Sequence, residues 1–268
     1  MDKSKDSRRQ EQLAAFDRLL TIMDELRMKC PWDRKQTMES LRHLTIEETY
    51  ELSDAILEGD LEEIKKELGD LMLHNVFYAK IASEKDAFDI SDVLNAVCDK
   101  LIQRHPHIYG DVTADDAETV KANWEKIKLK EHGDKPRSVL GGVPGSLPSL
   151  VKAMRIQEKA RGVGFDWDHS SQVVDKVKEE LNEFLAEFSD GTSENNPNIS
   201  AEFGDLLFSL INLSRFLDLN PEEALERTNK KFIKRFMFLE KASREDGKEL
   251  GNMTLEEMEH YWQKAKSI

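Results

Sequence analysis

An all-α fold, built twice in tandem, follows from three observations on this chain. Apolar residues recur at helical spacing along most of its length. Val/Ile/Thr-rich alternating segments bounded by hairpin turns are missing from the sequence. The same landmarks return in the same order in the second half. The first periodic stretch runs from Gln10 to Leu26, with Leu13, Phe16, Leu19, Leu20, Met23 and Leu26 on the repeat. Further helices are predicted over 38–57, 61–82, 90–104 and 115–131, then over 149–161, 170–188, 199–217, 221–245 and 254–266. Residues 132–150, HGDKPRSVLGGVPGSLPSL, hold four of the 13 glycines and three of the seven prolines, a density that no helix sustains. They are read as a linker between an N-terminal helical domain, 1–131, and a C-terminal helical domain, 151–268. A second polar loop, SDGTSENNPN at 189–198, separates two helices of the second half.

The repeat rests on five landmarks. Glu47-Glu48-x-x-Glu51 precedes Glu67-Leu68-Gly69-Asp70, and Glu179-Glu180-x-x-Glu183 precedes Glu202-Phe203-Gly204-Asp205. The first motifs stand 132 positions apart and the second 135, and the loop at 189–198 takes the three extra residues, since insertion there is cheap. Trp32-Asp33 returns as Trp167-Asp168, Lys100-x-x-x-Arg104 as Lys231-x-x-x-Arg235, and Trp124-x-x-x-Lys128 as Trp262-x-x-x-Lys266.

Composition narrows the partners. A net charge of −14 argues against a broad basic face for nucleic acid and against docking on anionic lipid. It leaves room for a small anionic ligand where a metal or local cations supply the attraction. Cys30 and Cys98 make neither a disulfide framework nor a C-x-x-C zinc pair. The start MDKSKDSRRQ has no apolar signal core, and no apolar run reaches membrane-spanning length, so a cytoplasmic protein is expected.

The carboxylates carry the chemistry. On a helical wheel of about 100° per residue, Leu41, Leu44, Leu52 and Ala55 all fall within about 40° of Glu48, so Glu48 sits inside an apolar stripe. Around Glu180 the stripe is mixed. Val173 and Phe184 lie within about 40°, but Lys176 and Glu187 share the arc. Glu67 and Asp70, like Glu202 and Asp205, are spaced i,i+3 on one helical face. Two readings stand side by side: acidic faces paired with Lys and Arg, or metal cradles. Gly69 and Gly204 each cost a helix interior about 1 kcal/mol, which points to close helix approach beside the acidic pair and favours the cradle. Dense carboxylates without histidine suit Mg²⁺ rather than zinc, and the E-x-x-H motif that a di-iron bundle needs on two helices occurs once, at Glu257-x-x-His260, apart from the clusters. His74, one turn after Asp70, faces Ser209 in the repeat and reads as structural.

Cations follow. Lys231 and Arg235 form an i,i+4 pair able to clamp phosphate oxygens, or an ordinary surface pair. Lys176 is open to two roles, a phosphate contact or an ion pair with Glu180. Trp262 and Lys266 offer a stacking ring and a further cation, or simple packing on the bundle. No P-loop or Gly-rich nucleotide fingerprint occurs.

Taken together, EExxE, ExGD, CPWD at 30–33, DKLIQRHPHIYGD at 99–111, VGFDW at 163–167 and NKKFIKRF at 229–236 resemble the MazG family of nucleoside triphosphate pyrophosphohydrolases, nearly end to end. The resemblance implies hydrolysis of nucleoside triphosphates to monophosphate and pyrophosphate, dependent on Mg²⁺ with Mn²⁺ as an alternative. It implies four-helix carboxylate domains that dimerise, broad nucleotide tolerance and a house-cleaning or stress role. The C-terminal copy would carry the main activity. Glu180, Glu183, Glu202 and Asp205 would be its metal ligands, Glu179 would orient or activate water, and Lys176, Lys231, Arg235, Trp262 and Lys266 would contact nucleotide. The first copy keeps Glu48, Glu51, Glu67, Asp70, Lys100 and Arg104, with Cys98 in place of Asn229. One departure stands out. The family often carries a Lys just before ExGD, and NPNIS at 196–200 has none. A nucleotide-sensing module that binds without turnover is the rival from another class.

Overall fold

A computed structural model describes residues 3–113, 138–189 and 197–267, with isolated positions (116, 119, 120, 123, 124 and 127) in between. The described residues are helical with no strand. The chain divides into two compact units, Met1–Val120 and Lys121–Ile268. Most of the helix predicted over 115–131, Lys128, the start of the predicted linker at 132–137, and 190–196 of the second loop lie outside the described residues.

In the first unit, α1 spans Lys3–Lys29, α2 Met38–Glu58, α3 Leu61–Ser83, α4 Ile90–Arg104 and the short α5 Pro106–Tyr109. α1 starts seven residues before the predicted Gln10. The added residues are polar but contain no Gly or Pro, and Arg8 pairs with Glu11 along the helix at 2.8 Å. α2 opens on a capping box between Thr37 and Ser40 and closes on Gly59, whose φ of 71° is the left-handed form that stops a helix. Asp60 then caps α3 by accepting from the N–H groups of Glu62 and Glu63. This two-residue turn folds α2 and α3 into an antiparallel hairpin. Glu48 lies eleven residues before Gly59 and Asp70 eleven after, so the turn sets the two motifs at one height. Met23, Leu41, Val76, Phe77 and Ile81 form the core between α1, α2 and α3. Arg27 of α1 locks onto the Glu84 carboxylate with two bonds of 2.9 and 2.5 Å.

In the second unit, α6 spans Ser149–Arg161, α7 Ser170–Ser189, α8 Pro197–Phe216, α9 Pro221–Glu245 and α10 Leu255–Ala265. α7 and α8 pair as α2 and α3 do, with the Phe184 and Phe203 rings 5.6 Å apart between them. The Gln157 amide of α6 donates to the Phe208 carbonyl of α8 at 2.8 Å. Asp166, in the turn before α7, accepts both outer nitrogens of Arg215 at the end of α8. Tyr261 of α10 donates to Asp246 just past α9, at 2.7 Å. Val173, the counterpart of Leu41, is fully buried like it.

The glycine expectation is corrected. A Cβ built at Gly69 or Gly204 meets nothing within 4 Å, and both glycines are exposed. The neighbouring helix packs on another side, so close approach within the chain does not explain either residue. Each lies among exposed apolar neighbours at matching places: Leu68 and Met72 on α3, Phe203 and Leu207 on α8.

Candidate active site

Carboxylates converge at one place in each unit. In the second, oxygens of Glu180, Glu183 and Glu202 all lie within 4.8 Å of one another; in the first, those of Glu48, Glu67 and Asp70 do. Each trio draws on both helices of its hairpin. Of the eight expected ligands, Glu51 and Asp205 fall outside the trios. They still act on them through charge: Glu51 beside Glu67, and Asp205 beside Glu202.

Each trio holds one buried carboxylate, on opposite helices. In the first unit it is Glu67, 6 % exposed, on α3; in the second it is Glu180, 7 % exposed, on α7. The wheel had placed Glu48 more firmly in an apolar stripe than Glu180. The structure reverses that order, with Glu48 only half-buried. The reason lies one turn upstream. Lys176 bridges Glu179 and Glu180, its Nζ 2.7 Å from an oxygen of each, and so neutralises a buried charge that would otherwise be costly. These two hydrogen bonds push the Lys176 pKa up. The equivalent of Lys176 in the first unit is Leu44, which packs against the core.

Without such a cation the first trio holds its charge differently. Burial raises the pKa of Glu48, and the charge of Asp70 adds to it. Burial likewise raises Glu67, and facing Glu48 favours the proton on Glu67. Glu51 is raised by desolvation and by the charge of Glu67. Glu202 in the second unit is raised by desolvation, then by Glu183 and Asp205. The Glu67 Oε2 atom is buried with no hydrogen-bond partner. An all-oxygen set with an orphaned buried carboxylate oxygen fits a hard divalent cation such as Mg²⁺. His74 is buried and its pKa is lowered by that burial. It stands outside the trio, as the structural reading of it requires.

The cations of the second unit divide into spent and unspent. Lys178, Arg227 and Lys248 are engaged in ion pairs. Among the described residues, Lys231, Arg235 and Lys266 form no ion pair and no hydrogen bond from their side chains. Lys231 and Lys266 are exposed and Arg235 half-buried. Trp262 of α10 packs on Phe232 of α9, with centroids 4.9 Å apart and rings tilted by 52°. Glu179 is exposed and bound to Lys176. Asn229 is tied to Glu226 at 3.1 Å. Sequence reasoning missed Phe232 and Phe236, although each directly follows a singled-out cation in NKKFIKRF. It also missed the Asp166–Arg215 clamp, for which charge spacing gave no signal across 49 positions.

Comparison with known proteins gives one consistent answer. A family model for the MazG nucleotide pyrophosphohydrolase domain matches twice, at residues 36–109 and 169–237. The chain is 43 % identical over 255 residues to a nucleoside triphosphate pyrophosphohydrolase of Escherichia coli strain K12, covering 94 % of this chain and 97 % of that protein. It is 45 % identical over 253 residues to the nucleoside triphosphate pyrophosphohydrolase/pyrophosphatase MazG of Thermotoga maritima, covering 94 % and 95 %. A nucleoside triphosphate pyrophosphohydrolase of Mycobacterium tuberculosis is 36 % identical over 161 residues, 59 % of this chain and 48 % of that protein.

Proposed function

This chain belongs to the MazG nucleotide pyrophosphohydrolase family, and we propose on that premise that it hydrolyses nucleoside triphosphates to the monophosphate and pyrophosphate, chiefly in its second unit. The observation that carries the reading is the convergence of Glu180, Glu183 and Glu202 in a unit that also holds unspent Lys231, Arg235 and Lys266. That combination suits a metal–triphosphate complex, whose cation and anion need opposite surfaces.

Glu180, Glu183 and Glu202, with Asp205 close by, would hold Mg²⁺, or Mn²⁺ in its stead. When bound, the ion supplies Lewis-acid polarisation of the phosphates and a more acidic water. Lys231 and Arg235 neutralise charge on the pyrophosphate as it leaves, the Arg fork pairing with two oxygens. Glu179 orients the attacking water at the phosphorus nearest the nucleoside. Lys176 holds Glu179 and Glu180 while the site is metal-free, and turns to phosphate once the carboxylates are occupied. The glycine-bearing outer faces, Leu68-Gly69 with Met72 and Phe203-Gly204 with Leu207, support a homodimer, since apolar side chains around an open backbone suit a second copy. Broad base tolerance and a house-cleaning role in the cytoplasm complete the reading. Among the described residues, no helix is long and apolar enough to cross a membrane.

The test is direct. Protein is incubated with Mg²⁺ and each common nucleoside triphosphate, and the products are separated. Equal amounts of monophosphate and pyrophosphate are expected. Orthophosphate with a diphosphate would move the cleavage to another bond and sink the reading.

A further inference from the structure

α9 carries two parallel ladders. Lys231 and Arg235 are spaced i,i+4, and Phe232 and Phe236 run beside them, about 100° around the helix. The two phenyl rings lie 6.1 Å apart and nearly parallel, at 10°. Trp262 leans on the first of them from α10. Phe232 remains 54 % exposed despite this contact. Open aromatic faces next to unspent cations are the combination that takes a base and its phosphates together. The repeat sharpens the point. Where the second unit has Phe232 and Phe236, the first has Leu101 and His105, although it keeps the cations Lys100 and Arg104 and its own acid trio. With the acid trio kept, the first unit puts an aliphatic side chain in place of one phenyl ring and an imidazole in place of the other.

We propose that Phe232 is a specificity-determining residue: it sets the tilt of Trp262 and shares with it the platform on which the nucleobase stacks, so that the second unit engages nucleotides while the first, with Leu101, engages only their phosphates. This rests on the nucleotide reading above and deepens it. Loss of one stacking ring weakens base binding and leaves phosphate binding alone. The expected effect is about tenfold in affinity.

The experiment uses the full chain with Mg²⁺ and two probes, measured by calorimetry: α,β-methylene-ATP, which has a base, and inorganic tripolyphosphate, which has none. In Phe232→Leu the dissociation constant for the nucleotide analogue rises about tenfold, and that for tripolyphosphate stays as in the wild type. Phe232→Tyr, which keeps the ring, restores nucleotide binding. Helical circular dichroism and gel filtration accompany each variant. Four outcomes overturn the proposal: nucleotide affinity unchanged in Phe232→Leu, both affinities weakened alike, a changed oligomeric state, which makes the face a protein interface, or no nucleotide binding by the wild type. Turnover separates the two ideas. Base-dependent binding without pyrophosphate release defeats the enzymatic reading and leaves Phe232 its role. Normal turnover with a silent Phe232→Leu does the reverse.

Discussion

The two acid clusters share a hairpin, a ligand set and an interior glycine, yet they balance their charge by different means. In the first unit Glu67 is buried opposite Glu48, and burial and that neighbour raise its pKa. In the second Glu180 is buried and Lys176 offsets it with an ammonium group. The switch is a single position, one turn before the glutamate, held by Leu44 in one unit and Lys176 in the other. A duplicated ligand set therefore does not duplicate its electrostatics. The first cluster holds carboxylates whose pKa values burial and mutual charge raise; the second holds a lysine bridged to its buried glutamate.

The largest expected effect tests which cluster does the chemistry. Glu183→Ala removes a carboxylate of the second trio, and pyrophosphate release is expected to fall by at least about 100-fold. Glu51→Ala, its counterpart, is expected to cost far less. Initial rates with saturating Mg²⁺ decide it, and a reversed order would transfer catalysis to the first unit.

The next effect concerns how each hairpin is tied down. Arg215 at the end of α8 and Lys80 at the matching place in α3 both reach back to the segment before the hairpin. Arg215 grips Asp166 with two nitrogens, the side chains 17 % and 21 % exposed. Lys80 meets Asp24 at 2.6 Å, with 31 % and 59 % exposed. Arg215→Leu leaves Asp166 with only the more distant Arg161 guanidinium at 3.7 Å and is expected to cost about 1.5 kcal/mol in urea unfolding. Lys80→Leu is expected to cost under about 1 kcal/mol. Equal losses would mean that the forked geometry adds nothing.

How much of this was legible beforehand follows from what each signal encodes. Helical spacing and caps are local, so the positions of α2, α3, α4, α6 and α9 could be read closely from the chain. The carboxylate motifs were legible because they recur, and the wheel put Glu48 and Glu180 on inward arcs. Which of the two is buried was not legible, because Lys176 decides it through an ion pair that competes with another role for the same side chain. The purpose of Gly69 was misread, since sequence records that a side chain is absent and not what stands opposite. Asp166–Arg215 joins distant residues, and Phe232 becomes visible only once α10 is laid on α9.

Lys176→Met tests the bridging cation. Its loss leaves Glu180 buried without a partner. The metal-free protein is expected to lose about 1 kcal/mol after allowance for the half-exposed lysine, and Mg²⁺ is expected to recover most of it by occupying the carboxylates. Leu44→Met, at the matching place, keeps an apolar contact and is expected to show no Mg²⁺-dependent change. Thermal melts with chelator and with Mg²⁺ make the comparison. A Lys176→Met deficit of the same size in both conditions would reduce Lys176 to a packing residue.

The smallest effect is a pH dependence, and it isolates the raised pKa of Glu67 in the first cluster. Glu67 has a raised pKa, so its contribution is fully present below the ordinary carboxylate range and is lost as pH rises through the raised value. Glu48, Glu51 and Glu202 share that sign. Glu84 runs oppositely because Arg27 holds its pKa down; so does Asp166, where burial pushes up but Arg215 outweighs it. Their stability is present above the ordinary range and lost in acid. His74, with its lowered pKa, also loses stability as pH falls below about 6.5. These opposing terms cancel in a difference. Glu67→Gln keeps the shape of the side chain and cannot ionise. Metal-free wild type is therefore expected to melt progressively below Glu67→Gln as pH rises above the ordinary carboxylate range. Added Mg²⁺ is expected to reverse the order at pH 7.5, because only the wild type offers that oxygen as an anion. A melting difference flat across the pH series would mean that Glu67 ionises as easily folded as unfolded, and the contrast between raised carboxylate and lysine would lose its first half.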